Sequence, residues 1–481
     1  MQTYAKYLAL IMAMLMLALC AVACGNTPAD TTKAPDVQDT TAAPGEDTGV
    51  EEVIVRPDIP KENNNGEEFM VLYPNWSLYT NYLFVEDISD TVSEAIYKRT
   101  VSVEEWLGIK VTTYVSQAYN TVFNDLQTAV ASSEDVYDLM LSHCTNNIAN
   151  MLSSKYVLDW ATIDTVDLTS DLWNQSSIEL FERDGVVPLA VNDLMIPDVN
   201  MILFNPNILT EYGLESPYDL VLNNRWTLDK MFEMASKVYK DEDGDNAKSA
   251  GDIYGMILAP DWKLVSIQHS CGQMIIEKDE EGVPQFVLHN ERMIDVVDTV
   301  NTFFQSTNAY GSGGAAVLKQ LFAEDKGLFY LESLAETLTL RALKNDFGIL
   351  PMPKWDSSQE GYVSTNWLGY MGVPTTVANP DLVGKVVTLL AYENNQQVMP
   401  EFFEILLGQK LAADMQSQEM LNILFENTIF DLGITLNQRK MFQELVNANS
   451  SDVASKWAGV SGSYQGELTK FLTAYDLYLA G

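Results

Sequence analysis

The sequence predicts an α/β protein of two lobes, and three observations carry that prediction. The body behind the N-terminal region runs to roughly 415 residues, more than one hydrophobic core usually holds. Short apolar strands alternate with amphipathic helices in its first third, the pattern of a largely parallel sheet. A second set of strands and helices follows in the middle of the chain, and the C-terminal part is helix-rich. The composition agrees, since 47% hydrophobic and 10% aromatic residues among 481 suit a well-packed soluble body.

The chain begins with Tyr7 to Ala23, nearly all Ala, Leu, Met, Val and Ile behind Lys6. About twenty such residues can span a bilayer, but a charged start and small residues at the far end suit a cleaved export signal over residues 1–23. Ala21-Val22-Ala23-Cys24 resembles a lipobox, where a diacylated cysteine becomes the new N-terminus; Ala21 stands where Leu is usual. The expectation is a lipid anchor, palmitate-type, on Cys24 of a protein facing the cell exterior. Residues 24–60 are rich in Thr, Pro, Ala and acids and read as a disordered linker, because such a composition cannot bury enough surface to offset its chain entropy.

Glu67 to Tyr73 is a first strand after the Asn63-Asn64-Asn65-Gly66 turn, and Ser89 to Leu107 is a long helix leading into a strand at Ile109 to Tyr114. Thr121 to Ser132 carries Val122, Leu126, Ala129 and Val130 on one helical face. Val136 to Leu141 is the next strand. Further on, Met201 to Phe204 is a strand, Asn205 to Tyr212 and Lys230 to Lys240 are helical, and Thr227 is an N-cap. Asp252 to Leu258, Gln285 to Leu288, Gly327 to Leu331 and Phe347 to Leu350 read as strands. Leu368 to Val373 precedes a helix starting at Asn379-Pro380. The expected lobes are 66–190 with 315–375, and 191–314 with 376–481.

Charge and cysteines narrow the class. A formal net charge of −39, from 67 acidic and 28 basic residues, repels nucleic acid and anionic headgroups. After Cys24 only Cys144 and Cys271 remain, so the chain is no disulfide scaffold, and two buried free thiols are expected, with a Cys144–Cys271 bridge formed in an oxidising exterior as the alternative.

Four stretches together resemble a known family. Asp90 to Gly108 (DTVSEAIYKRTVSVEEWLG) followed by IKV is similar to the first helix of the family 1 extracellular solute-binding proteins of ABC importers. Pro217-Tyr218-Asp219-Leu220-Val221 with Arg225-Trp226-Thr227, then Ile253-Tyr254-Gly255, then Phe347 to Pro353 (FGILPMP), resemble that family in the same order. The resemblance covers nearly all of residues 66 to 435. It implies the type II periplasmic binding fold, hinge crossovers, a solute held between lobes that close on it, and delivery to an ABC permease by a monomeric, membrane-anchored receptor.

A carbohydrate is the expected solute, and its chemistry asks for aromatic faces and planar polar side chains at the C-terminal ends of strands. Candidates are Tyr73, Asn75 and Trp76 after the first strand, and Ser142 and His143 after the Val136 strand. Asn192 and Asp193 lie near a crossover, Glu332 and Ser333 end the Gly327 strand, and Asn366 and Trp367 precede another crossover. Trp262 and Trp457 are second-lobe candidates. For any single aromatic, plain packing competes with this role.

Asp241, Asp243, Asp245 and Asp252, with the Ala247 carbonyl, fall at loop positions 1, 3, 5, 12 and 7 of a calcium-binding pattern. Asn246 replaces the usual glycine at position 6, and Asp252 the usual glutamate at 12; both weaken a site that competes with a solvated acidic turn. No cofactor is required. Catalysis finds little support: His143, His269 and His289 are not spaced as a zinc pair, and Gly459-Val460-Ser461-Gly462-Ser463 lacks the last glycine of a nucleophile elbow. A glycosidase carboxylate pair has no sequence signature, so a carbohydrate-active enzyme is the main alternative and a surface adhesin the second.

Overall fold

The computed structural model describes residues 55–145, 147–338, 340, 346–411 and 415–480. The export signal, Cys24 and the linker up to residue 54 lie outside the described residues. Two α/β lobes make up the body from Arg56 onward.

The first lobe is built on a four-stranded sheet. Its central strand, Glu67–Pro74, pairs in parallel with Ile109–Ser116 on one side and Leu139–Leu141 on the other. Met371–Gly372 adds an antiparallel edge beside Leu139–Leu141. The helix Thr91–Leu107 is set at its start by a reciprocal cap, Asp90 accepting from the Ser93 N–H while Ser93 Oγ serves the Asp90 N–H. Such a cap stabilises the helix by about 1 kcal/mol. Its buried face, Val92, Ala95, Ile96, Val103 and Leu107, covers the sheet.

The second lobe carries the order Gly348–Leu350, Asn200–Phe204, Gly327–Ser333, Ile253–Ile257, Tyr239–Lys240. Here the expected lobe boundaries are corrected: Gly327–Ser333 and Gly348–Leu350 both pair with Asn200–Phe204 and so belong to the second sheet. Phe329 decides the placement, because its ring packs 5.4 Å from the buried Trp226, whose indole N–H donates to Pro351 O at 2.9 Å. Conversely, the helices Pro380–Glu393 and Met399–Leu411 pack on Thr91–Leu107 in the first lobe. The expected helix over Lys230 to Lys240 ends at Ala235, and Tyr239–Lys240 turns into the sheet edge. There Gly255 meets the Ala235 carbonyl so closely that a Cβ would lie 1.9 Å from its oxygen.

The chain crosses between lobes at 191–199 and again at 364–370, and it crosses further in the C-terminal part, where Met399–Leu411 packs on the first lobe, Met415–Glu426 on the second, and Val453–Leu479 touches both. These crossovers are tied together: Val199 bridges Asn366, Ser364 and Thr365 pair with Thr428 and Ile429, and the Trp367 N–H donates to Asp198 O at 2.8 Å. His269 joins them from the second lobe, with Nδ1 3.0 Å from Thr365 Oγ1 and Nε2 3.1 Å from Asp431 Oδ2. The latter contact is within ion-pair distance but poorly directed for a hydrogen bond.

The end of the expected linker is ordered. Arg56 lies 4.0 Å over the Trp106 ring, whose N–H donates to Ile59 O at 2.9 Å, so an aromatic platform captures residues whose composition alone predicts a free coil. Cys144 and Cys271 are buried free thiols.

Candidate functional site

Strand ends and a crossover place a cluster of rings between the lobes. Trp76 follows the first strand, and its ring centroid lies 5.1 Å from Tyr79 and 5.2 Å from His143. Tyr119, just past the second strand, is half exposed and lies 5.0 Å from His143. From the second lobe Trp262 meets the crossover ring of Trp367 edge-on at 4.5 Å, and Arg439 sits 5.7 Å over Trp367. The backbone under this cluster is tight. Gly369 packs against Ser142 so closely that a Cβ would come within 1.7 Å of its carbonyl oxygen, while Tyr79 OH donates to Ser142 O and accepts from the Gly369 N–H.

Beside Trp262 and Trp367 lies a charged and mostly buried group of side chains. Lys263, 3% exposed, places Nζ 3.2 Å from both Glu332 Oε1 and Asp261 Oδ2. Glu332 also accepts from Tyr330 OH at 2.5 Å and from its neighbour's N–H. Asp198 accepts from the Ala335 N–H at 3.1 Å; burial, helped by Glu332 and Glu336, pushes its carboxyl up to about 7. Burial and then the Arg439 charge push the His143 imidazole down to about 4. His143 Nδ1 accepts from the Thr145 N–H at 3.3 Å, which leaves the proton of the neutral ring on Nε2. The Trp367 indole N–H is buried without a partner.

Of the expected residues, the structure gathers Trp76, His143, Trp262, Trp367 and Glu332. The others do different work. Tyr73 packs on Phe84 and lines an open hollow of about 1000 Å³ along the edge strand Ile109–Ser116. Asn75 is exposed beside Trp76. Ser142 Oγ clamps Tyr370 through both its O and N–H. Asn192 donates to Val387 O, and Asp193 accepts from Asn395, so both serve first-lobe packing instead of the cleft. Ser333 caps a short helix through Glu336 N–H. Asn366 Oδ1 holds the Leu368 N–H inside the hinge. Trp457 stacks on His289 at 5.2 Å on the terminal helix. Tyr119, Arg439, Asp198 and Lys263 were not expected. Tyr119 obeys the strand-end rule, whereas nothing local in the sequence marks Arg439.

In the acidic loop, ligand atoms of Asp241, Asp243 and Asp252 lie within 4.8 Å of one another, and Asn246 takes a left-handed backbone, with φ 59°. Asp245 instead accepts from the Ala247 N–H at 2.7 Å and stands outside that trio.

No protein-family model and no curated protein matches the sequence. Solved structures do match in fold. An ABC substrate-binding protein from Listeria monocytogenes in complex with cycloalternan is 12% identical, with a TM-score of 0.52 over 86% of this chain and 98% of that one. An ABC transporter solute-binding protein from Thermotoga lettingae bound with α-D-tagatose is 12% identical, with a TM-score of 0.55 over 84% and 100%. The GacH receptor of Streptomyces glaucescens, solved unliganded and with acarbose, is 13% identical, with a TM-score of 0.55 over 84% and 99%. The fold is therefore that of the two-lobed solute-binding proteins of ABC transporters, as the sequence predicts. Among the described residues, no helix is long and apolar enough to cross a membrane.

Proposed function

We propose that this chain is a solute-binding lipoprotein of an ABC importer that takes a carbohydrate between its lobes and delivers it to a membrane permease without chemistry. One observation carries the reading. Aromatic rings from the first lobe (Trp76 and Tyr119 around His143) and a pair from the second lobe and a crossover (Trp262 on Trp367) are linked by Arg439, which lies over Trp367 and acts on His143 and Tyr119, on a fold shared with proteins solved with sugars. Ring faces hold sugar C–H surfaces, and the surrounding carboxylates and amides hold hydroxyls.

A thermal-shift screen over mono- and oligosaccharides, amino acids and short peptides tests it; a shift with peptides alone refutes the carbohydrate assignment. Acylation at Cys24 is part of the same reading, and a Cys24→Ser protein recovered in the soluble fraction while the parent partitions to membrane supports it. Structural calcium at Asp241, Asp243 and Asp252 would reinforce the loop entering the Ile253–Ile257 strand. Calcium titration without heat and without a rise in melting temperature removes that element.

A further inference from the structure

The charges in the cleft are unevenly matched. On one side Lys263 is neutralised twice over, by Glu332 and Asp261 at 3.2 Å each. On the other side, among the described residues, no carboxylate comes within ion-pair reach of Arg439. Its side-chain partner is an amide, with Nη1 donating to Asn437 Oδ1 at 2.7 Å. The groups whose charge it feels are Cys144, Tyr119 and Tyr464, and it in turn acts on His143. Cys144, Tyr464 and His143 are neutral at physiological pH, since burial holds the Cys144 thiol and the Tyr464 phenol up to about 12 and the His143 imidazole down to about 4.

The hydrogen-bonding inventory points the same way. Arg439 offers several N–H groups, the neutral His143 offers Nε2–H, and the Trp367 indole N–H is 5% exposed at its residue and has no partner. Guanidinium and indole supply donors only. A sugar hydroxyl arriving here would bring a donor of its own, whereas a carboxylate brings acceptors alone and pairs bidentately with arginine. The guanidinium also comes from the second lobe, since the helix it precedes, Lys440–Asn447, is bound to Pro260 O through Gln443 and Asn447, while His143 and Tyr119 belong to the first. An anion seated on Arg439 would therefore engage both lobes.

We propose that the solute is an acidic carbohydrate, a uronate or other carboxylated sugar, whose carboxylate binds Arg439 between His143, Tyr119 and Trp367. This rests on the carbohydrate reading above and names its substrate class. The Lys263, Glu332 and Asp261 side then receives the neutral hydroxyls.

The test is calorimetric titration of the whole exported protein with disaccharides containing galacturonate, glucuronate or mannuronate and with their neutral counterparts. At least one uronate should bind ten-fold or more tightly than its neutral partner. Arg439→Gln should lose ten-fold or more for that uronate, with little change for a neutral sugar, and Arg439→Lys should restore part of the loss. Raising the salt concentration should weaken the uronate alone. The melting temperature of each unliganded variant reports its fold, and Arg439→Lys serves if the Gln variant does not fold. A neutral sugar bound as tightly as its uronate, or equal losses for both in the Gln variant, overturns this proposal and leaves the carbohydrate reading standing. Binding by no sugar of either kind, with peptides binding instead, overturns both.

Discussion

Replacing Trp367 separates the packing role of the ring from the binding role of its N–H. At 5% exposure between Trp262 and Arg439, the side chain buries nearly all of the roughly 150–250 Å² that a large aromatic offers. At about 25 cal/mol per Å² this is worth roughly 4–6 kcal/mol, close to the 3–5 kcal/mol typical of large-to-Ala core changes. Trp367→Ala should therefore destabilise the unliganded protein by about 4 kcal/mol, and it is a poor probe of binding. Trp367→Phe keeps most of the ring and removes an N–H that has no partner. An unsatisfied buried donor costs about 1–3 kcal/mol, similar to the area lost, so the Phe variant should unfold near the parent. Its affinity for the best solute of the screen should fall about five-fold, the loss of a hydrogen bond of roughly 1 kcal/mol. Urea unfolding by circular dichroism, with midpoints compared at constant slope, and calorimetry measure the two effects. A Phe variant as unstable as the Ala variant refutes the orphan argument, and an unchanged affinity removes the N–H from the site.

Lys263→Met strands Glu332 beside Asp198 in a dry site and should cost about 3–5 kcal/mol in urea unfolding; a loss under about 1 kcal/mol refutes the pairing. Asp198 is held at about 7 when folded against about 3.9 in an unfolded chain. The folded form thus takes up this proton first as pH falls, and the group's destabilising effect is full above pH 7 and fades toward pH 4. Asp198→Asn should gain stability over the parent at pH 8 and lose that advantage by pH 4; a difference that does not vary with pH contradicts this. Gly369→Ala should both lower the melting temperature and weaken solute binding, because its Cβ must push Ser142 and His143 aside. A variant with parental affinity would show that their positions do not matter to the site.

The sequence made most elements legible because their signals are local. Asp90 and Ser93 cap a helix by contacts three residues apart, and Asn379-Pro380 opens another in the same way. The partners of a strand are a long-range choice. Gly327–Ser333 reads as a buried strand, but nothing within it says that Phe329 will meet Trp226 and so draw it into the second sheet. The candidate site divides likewise. Strand ends lead to Trp76 and His143, which the structure places in one ring cluster, and the same rule reaches Tyr119. Asn192 and Asp193 looked suitable beside a crossover, yet Val387 and Asn395 from a helix some two hundred positions away claim their side chains. Arg439 sits in a helical tail whose only clue is the scarcity of basic residues.

The terminal helix, Val453–Leu479, has a mechanical consequence. At about 1.5 Å per residue, its 27 residues make a strut some 40 Å long. Near its start Trp457 rests on His289 and Phe286 in the second lobe, and near its end Tyr475 and Tyr478 donate to Val186 and Val157 carbonyls in the first. Rotation of the lobes must therefore bend this strut or release one of its ends. Gly459, Gly462 and Gly466 lie along its span with open space at each Cβ position, and each lowers helix stability by roughly 1 kcal/mol relative to Ala. They make that stretch the softest part of the strut, and filling them with alanine would stiffen the molecule against opening.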